Sequence, residues 1–329
     1  MSFHDKVDDY CKKGWIDPKS KDLVIQFYEE YERVIERKGD HIENHVDIFN
    51  VYLELIRDQL KDPYPFAHYH KQIRSPFDYF RFGIEFFRPL IDYGKSKTYG
   101  LEIFDKIEMN LEKGHNAVFF ANHQIEADPQ SISLLLERTH PKLGESIISV
   151  AGSRVTTDPL AVPFSLGCNL LCIYSKRYID HPPEEREKKQ LHNKKTMGVM
   201  AELLAEGGKA IYVAPSGGRD RPDESDHVAP TEFDPASLEM FYLMSKRAKH
   251  PTHFYPLALK TYNLLPPPQN VQKELGEKRL IKGGGISLAI GEEINMESFP
   301  GSGEKDKHAR RQKRADYIHS LVTELYETL

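Results

Sequence analysis

Cysteine is scarce in this chain of 329 residues: Cys11, Cys168 and Cys172 make an odd set of three. That excludes a disulfide framework and suits a reducing compartment. Cys168 and Cys172 are close in sequence, but no second pair completes a zinc set, so they read as small buried hydrophobes. No apolar run reaches the roughly 18 to 20 residues that a membrane-spanning helix needs. Glycine and proline, 21 each, are too few for a collagen-like or wholly disordered chain. Charge of one sign is also lacking. The 45 Lys and Arg stand against 50 Asp and Glu, a net charge of −5, which excludes chain-wide attraction to nucleic acid while leaving room for local basic patches. The first fourteen residues carry no apolar signal core and no Arg/Ser-rich, acid-poor transit stretch, so a cytoplasmic protein is expected.

Enough residues are present for a large core, since a folded chain of about 300 residues buries roughly 75% of its unfolded surface. Up to about residue 90 the apolar spacing is helical. Leu23, Phe27, Tyr31 and Val34 form one stripe. Ile42, Val46, Phe49, Leu53, Ile56 and Leu60 form a second, and Phe77, Phe80, Ile84 and Phe87 a third. Each stripe recurs at steps of three and four, which predicts a helical bundle over residues 1–90, a scaffold or docking unit. From about residue 100 short apolar runs at 117–121, 147–151, 170–174, 210–214, 254–259 and 286–290 alternate with helical stretches. This alternation predicts an α/β domain over residues 91–329 with a mixed, partly parallel sheet flanked by helices. Asp128-Pro129 and Asp234-Pro235 each read as an N-cap acid followed by a first-turn proline.

The densest polar block is Asn122-His123-Gln124-Ile125-Glu126-Ala127-Asp128-Pro129, directly after the strand at 117–121. On one helix, residues five apart lie about 140° apart around the axis and do not meet. With a turn between them His123 and Asp128 can pair, the carboxylate fixing the imidazole tautomer so that the other ring nitrogen serves as a base. The spacing equally fits a capping Asp128 beside an ordinary loop histidine. A metal site of His123, Glu126 and Asp128 is a weaker third reading, because no second ligand cluster accompanies it.

A second block, Ala214-Pro215-Ser216-Gly217-Gly218-Arg219-Asp220-Arg221, follows the strand at 210–214. Its glycines allow a tight turn, and Arg219 and Arg221 can converge on one phosphate, or instead pair with Asp220 and Asp223 on an exposed turn. Lys176-Arg177 lies just past the strand at 170–174. Polar clusters after three strand ends suggest one shared site. The glycines at 283–285 lack the Gly-Lys-Ser/Thr ending of a phosphate-binding loop and read as a turn.

Taken in order, the Asn-His-x4-Asp block, the Pro-Ser-Gly-Gly-Arg-Asp-Arg block and Phe254-Tyr255-Pro256-Leu257-Ala258 resemble the glycerolipid acyltransferases. The detail in 158–161, 169–176 and 211–216 resembles the soluble glycerol-3-phosphate 1-acyltransferases of plastids and chlamydia-like bacteria. The resemblance implies that His123 is a general base oriented by Asp128. It also implies a phosphate pocket of Arg219, Arg221, Arg177 and Lys176, with no cofactor and no metal. Where that family has lysine then histidine, this chain has Arg177 and Tyr178, and tyrosine supplies no cationic imidazole. The implied partners are glycerol 3-phosphate and an acyl-carrier-protein or acyl-CoA thioester, with no nucleic acid, no transmembrane segment and at most a peripheral membrane contact. The plastid stroma is the implied location if a transit peptide has been removed. Basic pairs such as Lys188-Lys189, Lys194-Lys195 and Lys246-Arg247, and the run at 310–314, are then candidate docking points for an acidic carrier.

Acylation of 1-acyl-glycerol 3-phosphate is the alternative within the superfamily. Those enzymes usually carry a Glu-Gly-Thr-Arg type block where this chain has Ser216-Gly217-Gly218-Arg219. A non-catalytic lipid- or carrier-binding protein and a metal-dependent phosphohydrolase complete the alternatives.

Overall fold

The computed structural model describes residues 2–176, 179–268 and 277–329. Four helices lead: α1 (Phe3–Lys12), α2 (Pro18–Arg37), α3 (Val46–Lys61) and α4 (Tyr79–Phe87). Each starts where local chemistry favours it. Ser2 and Asp5 form a capping box on α1, and Asp17 caps α2 ahead of Pro18. The three predicted stripes supply the buried faces of α2, α3 and α4, with Phe27, Tyr31, Phe49, Leu53 and Phe87 fully enclosed. Helix α1 went unread because only Phe3, Val7 and Tyr10 face inward over its ten residues.

Six of the eight strands among the described residues are the predicted ones. These eight are β1 (Tyr69–His70), β2 (Lys97–Tyr99), β3 (Asn116–Ala121), β4 (Ile148–Gly152), β5 (Asn169–Ile173), β6 (Ala210–Val213), β7 (Thr252–Lys260) and β8 (Ser287–Ile290). They form one sheet in the order β1-β5-β4-β6-β3-β7-β8-β2. The five from β5 to β7 run parallel, while β1 and β8 join antiparallel. The sheet is therefore mixed, as expected. The two unread strands lie at its edges and are two and three residues long, too short to carry a period. Strand β1 also corrects the expectation of helices alone before residue 90.

Helices α5 (Leu101–Glu112), α6 (Asp128–Leu136) and α7 (Pro141–Ser146) cover one face of the sheet. Two short helices, α8 (Ser153–Thr157) and α9 (Val162–Ser165), fill the β4–β5 crossover. The other face is covered by α10 (Arg186–Glu206), α11 (Pro235–Ser245) and α12 (Lys307–Glu327). Alternate residues of β3 go to the two cores, Val118 and Phe120 to one and Phe119 and Ala121 to the other, as a strand buried on both faces requires.

The leading helices share a core with Ile125, Ala127, Leu160, Leu265 and Ile286. The Tyr52 hydroxyl donates to the Leu160 carbonyl at 2.7 Å. The glycine turn at 283–285 belongs to this seam. Gly283 has φ +66°, and a Cβ there would lie 2.5 Å from Val34 Cγ1, so close approach to α2 as well as backbone conformation requires glycine. Burial pushes the thiols of Cys168 and Cys172 up to about 12, and neither is in a disulfide.

Candidate active site

Register brings the parallel strands to a common edge: Phe120 pairs with Val213 and Gly152 with Ile173. The residues just after β3, β4, β5 and β6 therefore face one cleft. His123 and Asp128 meet there, Nδ1 lying 2.8 Å from Oδ2. Asp128 corrects the capping expectation. It is the first residue of α6, Ala127 holds the cap position, and no side chain caps the helix. Its carboxylate turns back into the loop because four donors converge on it. Oδ2 accepts from His123, from the Gln124 N–H at 2.8 Å and from the Ile125 N–H at 3.3 Å. Oδ1 accepts from the Thr261 hydroxyl at 2.6 Å. Asp128 is fully buried while His123 is 30% exposed, so the ring edge bearing Nε2 is the part that a ligand in the cleft can reach.

The second block is tied to the first. The Asp220 N–H donates to the His123 carbonyl at 2.6 Å, and Asn122 Nδ2 donates to Asp220 Oδ2 at 2.9 Å. Asn122 also exchanges two hydrogen bonds with Leu259 at the end of β7. Burial raises the Asp220 carboxyl above its ordinary range, opposed by its hydrogen bonds from Asn122 and Thr231. Asp220 is thus a structural brace, and the alternative of an exposed turn on which it pairs with its flanking arginines does not hold.

Arg219 instead reaches Glu277, its Nη2 lying 2.7 and 2.8 Å from the two carboxylate oxygens. Its Nη1 is 3.8 Å from Glu126 Oε1. Arg154 approaches Glu277 from another side at 3.4 Å. Arg279 is buried between Glu126 and Asp158, at 3.0 Å from each. Burial pushes Glu126 upward, but Arg279 and Arg219 outweigh it and hold the carboxyl below its ordinary value. Glu126 is therefore engaged with arginines, and among the described residues no group of three or more His, Cys, Asp or Glu could hold a metal ion.

His123, Lys176, Arg219 and Arg221 line one cleft, together with Arg154, Ser216 and Gly217. Lys176 sits at its rim, ion-paired with Asp234. Arg221 bonds the Arg219 carbonyl at 3.0 Å. Arg177 and Tyr178 lie outside the described residues. An apolar pocket lined by Phe27, Phe87, Pro129, Phe164 and Leu265 opens beside the cleft, and His123, Glu126, Val150 and Gly152 border both. Sequence reading missed Arg154, although it stands just past a predicted strand. Glu277 and Arg279 gave no signal, because the mixed run Glu277-Lys278-Arg279 looks like a solvated charged stretch.

A family model described as Acyltransferase matches residues 102–260. The chloroplastic glycerol-3-phosphate acyltransferase of Pisum sativum is 38% identical over 92% of this chain and 67% of its own length. The chain belongs to the glycerol-3-phosphate acyltransferase family. The chloroplastic members of Cucurbita moschata and Arabidopsis thaliana are 41% and 43% identical, over 90% and 82% of this chain. The chain spans 65% and 59% of their respective lengths. A 1-acyl-sn-glycerophosphate acyltransferase of Thermotoga maritima aligns at 16% identity and TM-score 0.43, covering 93% of this chain and 95% of that one. Within the acyltransferase match fall β3, β6, the His123–Asp128 pair and both arginines of the second block, whereas Glu277 and Arg279 lie beyond it. None of the described helices of this acyltransferase family member is long and apolar enough to cross a membrane.

Proposed function

We propose that this chain transfers an acyl group from a thioester to the sn-1 hydroxyl of glycerol 3-phosphate, giving 1-acyl-glycerol 3-phosphate and a free thiol. The observation that carries this reading is the buried Asp128 on His123 Nδ1, in a cleft that also presents Arg219 and Arg221. With the Nδ1 proton held by Asp128, Nε2 takes the proton of the primary hydroxyl. The alkoxide oxygen bonds to the thioester carbonyl carbon, the C–S bond breaks, and the imidazolium returns the proton to the thiolate. The arginines hold the phosphate and so fix which hydroxyl meets His123. The apolar pocket is the proposed seat of the acyl chain, and Phe27 and Phe87 give the leading helices a part in it.

The donor in this reading is an acyl-carrier-protein or coenzyme A thioester. The names of the chloroplastic relatives support a plastid location over the cytoplasm, and the amphiphilic product suits a peripheral membrane contact. The test is transfer of a labelled acyl group from carrier-protein thioester to glycerol 3-phosphate with chelator present. His123→Ala is expected to lower kcat by about 10²- to 10⁴-fold, and Arg219→Gln to raise the KM for glycerol 3-phosphate. Acylation of lysophosphatidic acid alone would transfer the reading to the second acylation. No transfer to any acceptor would refute it.

A further inference from the structure

One buried amide binds more of the site together than its place in the sequence suggests. Gln124 directly follows His123 and is fully buried. Its Oε1 accepts from two main-chain N–H groups, those of Thr261 at 2.7 Å and Tyr262 at 2.9 Å. An atom that meets two N–H donors must be the oxygen, so the amide cannot be reversed. The NH2 end points the other way and donates to the Tyr326 hydroxyl at 3.1 Å. Tyr326 stands in the last turn of α12, 202 positions along the chain. Helix α12 is itself fixed against the sheet by Ile318 and Val322, both fully buried in a core shared with Val118 and Phe120 of β3.

The same residue governs two of the contacts on Asp128. Its own N–H donates to Oδ2 at 2.8 Å. Its Oε1 holds the Thr261 N–H, and the Thr261 hydroxyl donates to Oδ1 at 2.6 Å. One contact falls on each carboxylate oxygen, and together they resist rotation of the carboxylate. That rotation would carry Oδ2 away from His123 Nδ1, which lies 2.8 Å from it. Thr261 and Tyr262 come just after the end of β7, where pairing with β8 has stopped at Lys260. Gln124 thus takes up N–H groups that the sheet no longer serves.

We infer that Gln124 is a positioning residue for the His123–Asp128 pair, held in place by Tyr326 of α12. This rests on the acyl-transfer reading above for the reaction that His123 serves, but not for the geometry of the pair. Neither Gln124 nor Tyr326 lines the cleft or the apolar pocket beside it. Their loss should therefore spare substrate binding and act on the chemical step, where a misplacement of about 1 Å can cost about 10²-fold.

The test combines steady-state acyl transfer by the full chain with a readout that needs no acyl donor. That readout is nitrogen NMR of histidine-labelled protein, with the His123 signals assigned by their loss in His123→Ala. Wild type should show Nδ1 protonated and Nε2 bare. Gln124→Met, similar in length but without either amide end, should mix the two tautomers. Its kcat should fall by about 10- to 100-fold, with the KM for glycerol 3-phosphate and for the thioester within about twofold of wild type. Gln124→Glu offers the same acceptor to both N–H groups and takes the Tyr326 hydroxyl as a donor, so it should recover most of kcat and the single tautomer. Should Gln124→Met melt far below wild type, Tyr326→Phe decides, since it keeps the ring and both N–H bonds while leaving the NH2 end unpartnered; a kcat loss of about tenfold is expected there. A wild-type kcat in the deciding variant would overturn the inference, as would a lower kcat with the wild-type tautomer kept. Equal losses in Gln124→Met and Gln124→Glu would also overturn it, as would a raised KM at constant kcat, which assigns Gln124 to cleft shape. If Gln124→Met mixes the tautomers yet wild type acylates no glycerol 3-phosphate, the positioning role stands and the proposed function falls.

Discussion

Asp128→Asn separates what Asp128 does by shape from what it does by charge. Three donors meet on Oδ2, from His123, Gln124 and Ile125, and one hydroxyl, that of Thr261, meets Oδ1. An asparagine can put its carbonyl oxygen at the Oδ2 position and its NH2 toward Thr261, whose hydroxyl can turn to accept. The loop and the His123 tautomer are then both kept. What is lost is the negative charge beside the imidazolium that forms during transfer. The ring nitrogen lies 2.8 Å from the carboxylate oxygen, which puts the charge centres about 4 Å apart. At an effective dielectric constant of about 20, such a pair is worth about 4 kcal/mol. Lost entirely from the transition state, that corresponds to about a thousandfold in kcat. The assay is the initial rate of thiol release from an acyl thioester at saturating glycerol 3-phosphate, with the melting temperature followed in parallel. A kcat within tenfold of wild type in a variant that melts normally would refute the assignment of electrostatic work to Asp128. A collapse of the melting temperature would refute the asparagine placement.

Removal of Arg279 as Arg279→Met leaves Glu126 and Asp158 buried with no guanidinium between them, and should cost about 3–5 kcal/mol in urea unfolding; a loss under 1 kcal/mol would show that water reaches the pair. Glu126 has a depressed carboxyl in the folded state, so its contribution to stability is full above the ordinary carboxylate range and is lost as pH falls through the lower folded value. The difference in unfolding free energy between wild type and Glu126→Gln should accordingly hold steady above about pH 5 and shrink below it. A difference that grows on acidification would contradict the sign. Gly283→Ala would put a methyl 2.5 Å from Val34 at φ +66°, and about 1–3 kcal/mol of destabilisation is expected; an unchanged urea midpoint would mean that the seam with α2 gives way freely.

Most elements and their order are legible in the chain alone, α1, β1 and β2 being among the exceptions. Stripes at steps of three and four made α2, α3 and α4 legible, and six apolar runs bounded by turn residues marked six of the eight described strands, because burial of one face or of both leaves a period in the residues themselves. The polar residues after β3, β5 and β6 were legible as a site for a related reason: parallel strands deliver their carboxyl ends to one edge. Tertiary structure decided the rest. Whether Asp128 caps α6 or orients His123 depends on Thr261, which lies 133 positions away. The partner of Arg219 lies 58 positions on, in Glu277, while its sequence neighbour Asp220 turns to brace Asn122. Such pairings leave no period in the chain. They follow from which loops the sheet order places side by side, and that order is set by packing over the whole core.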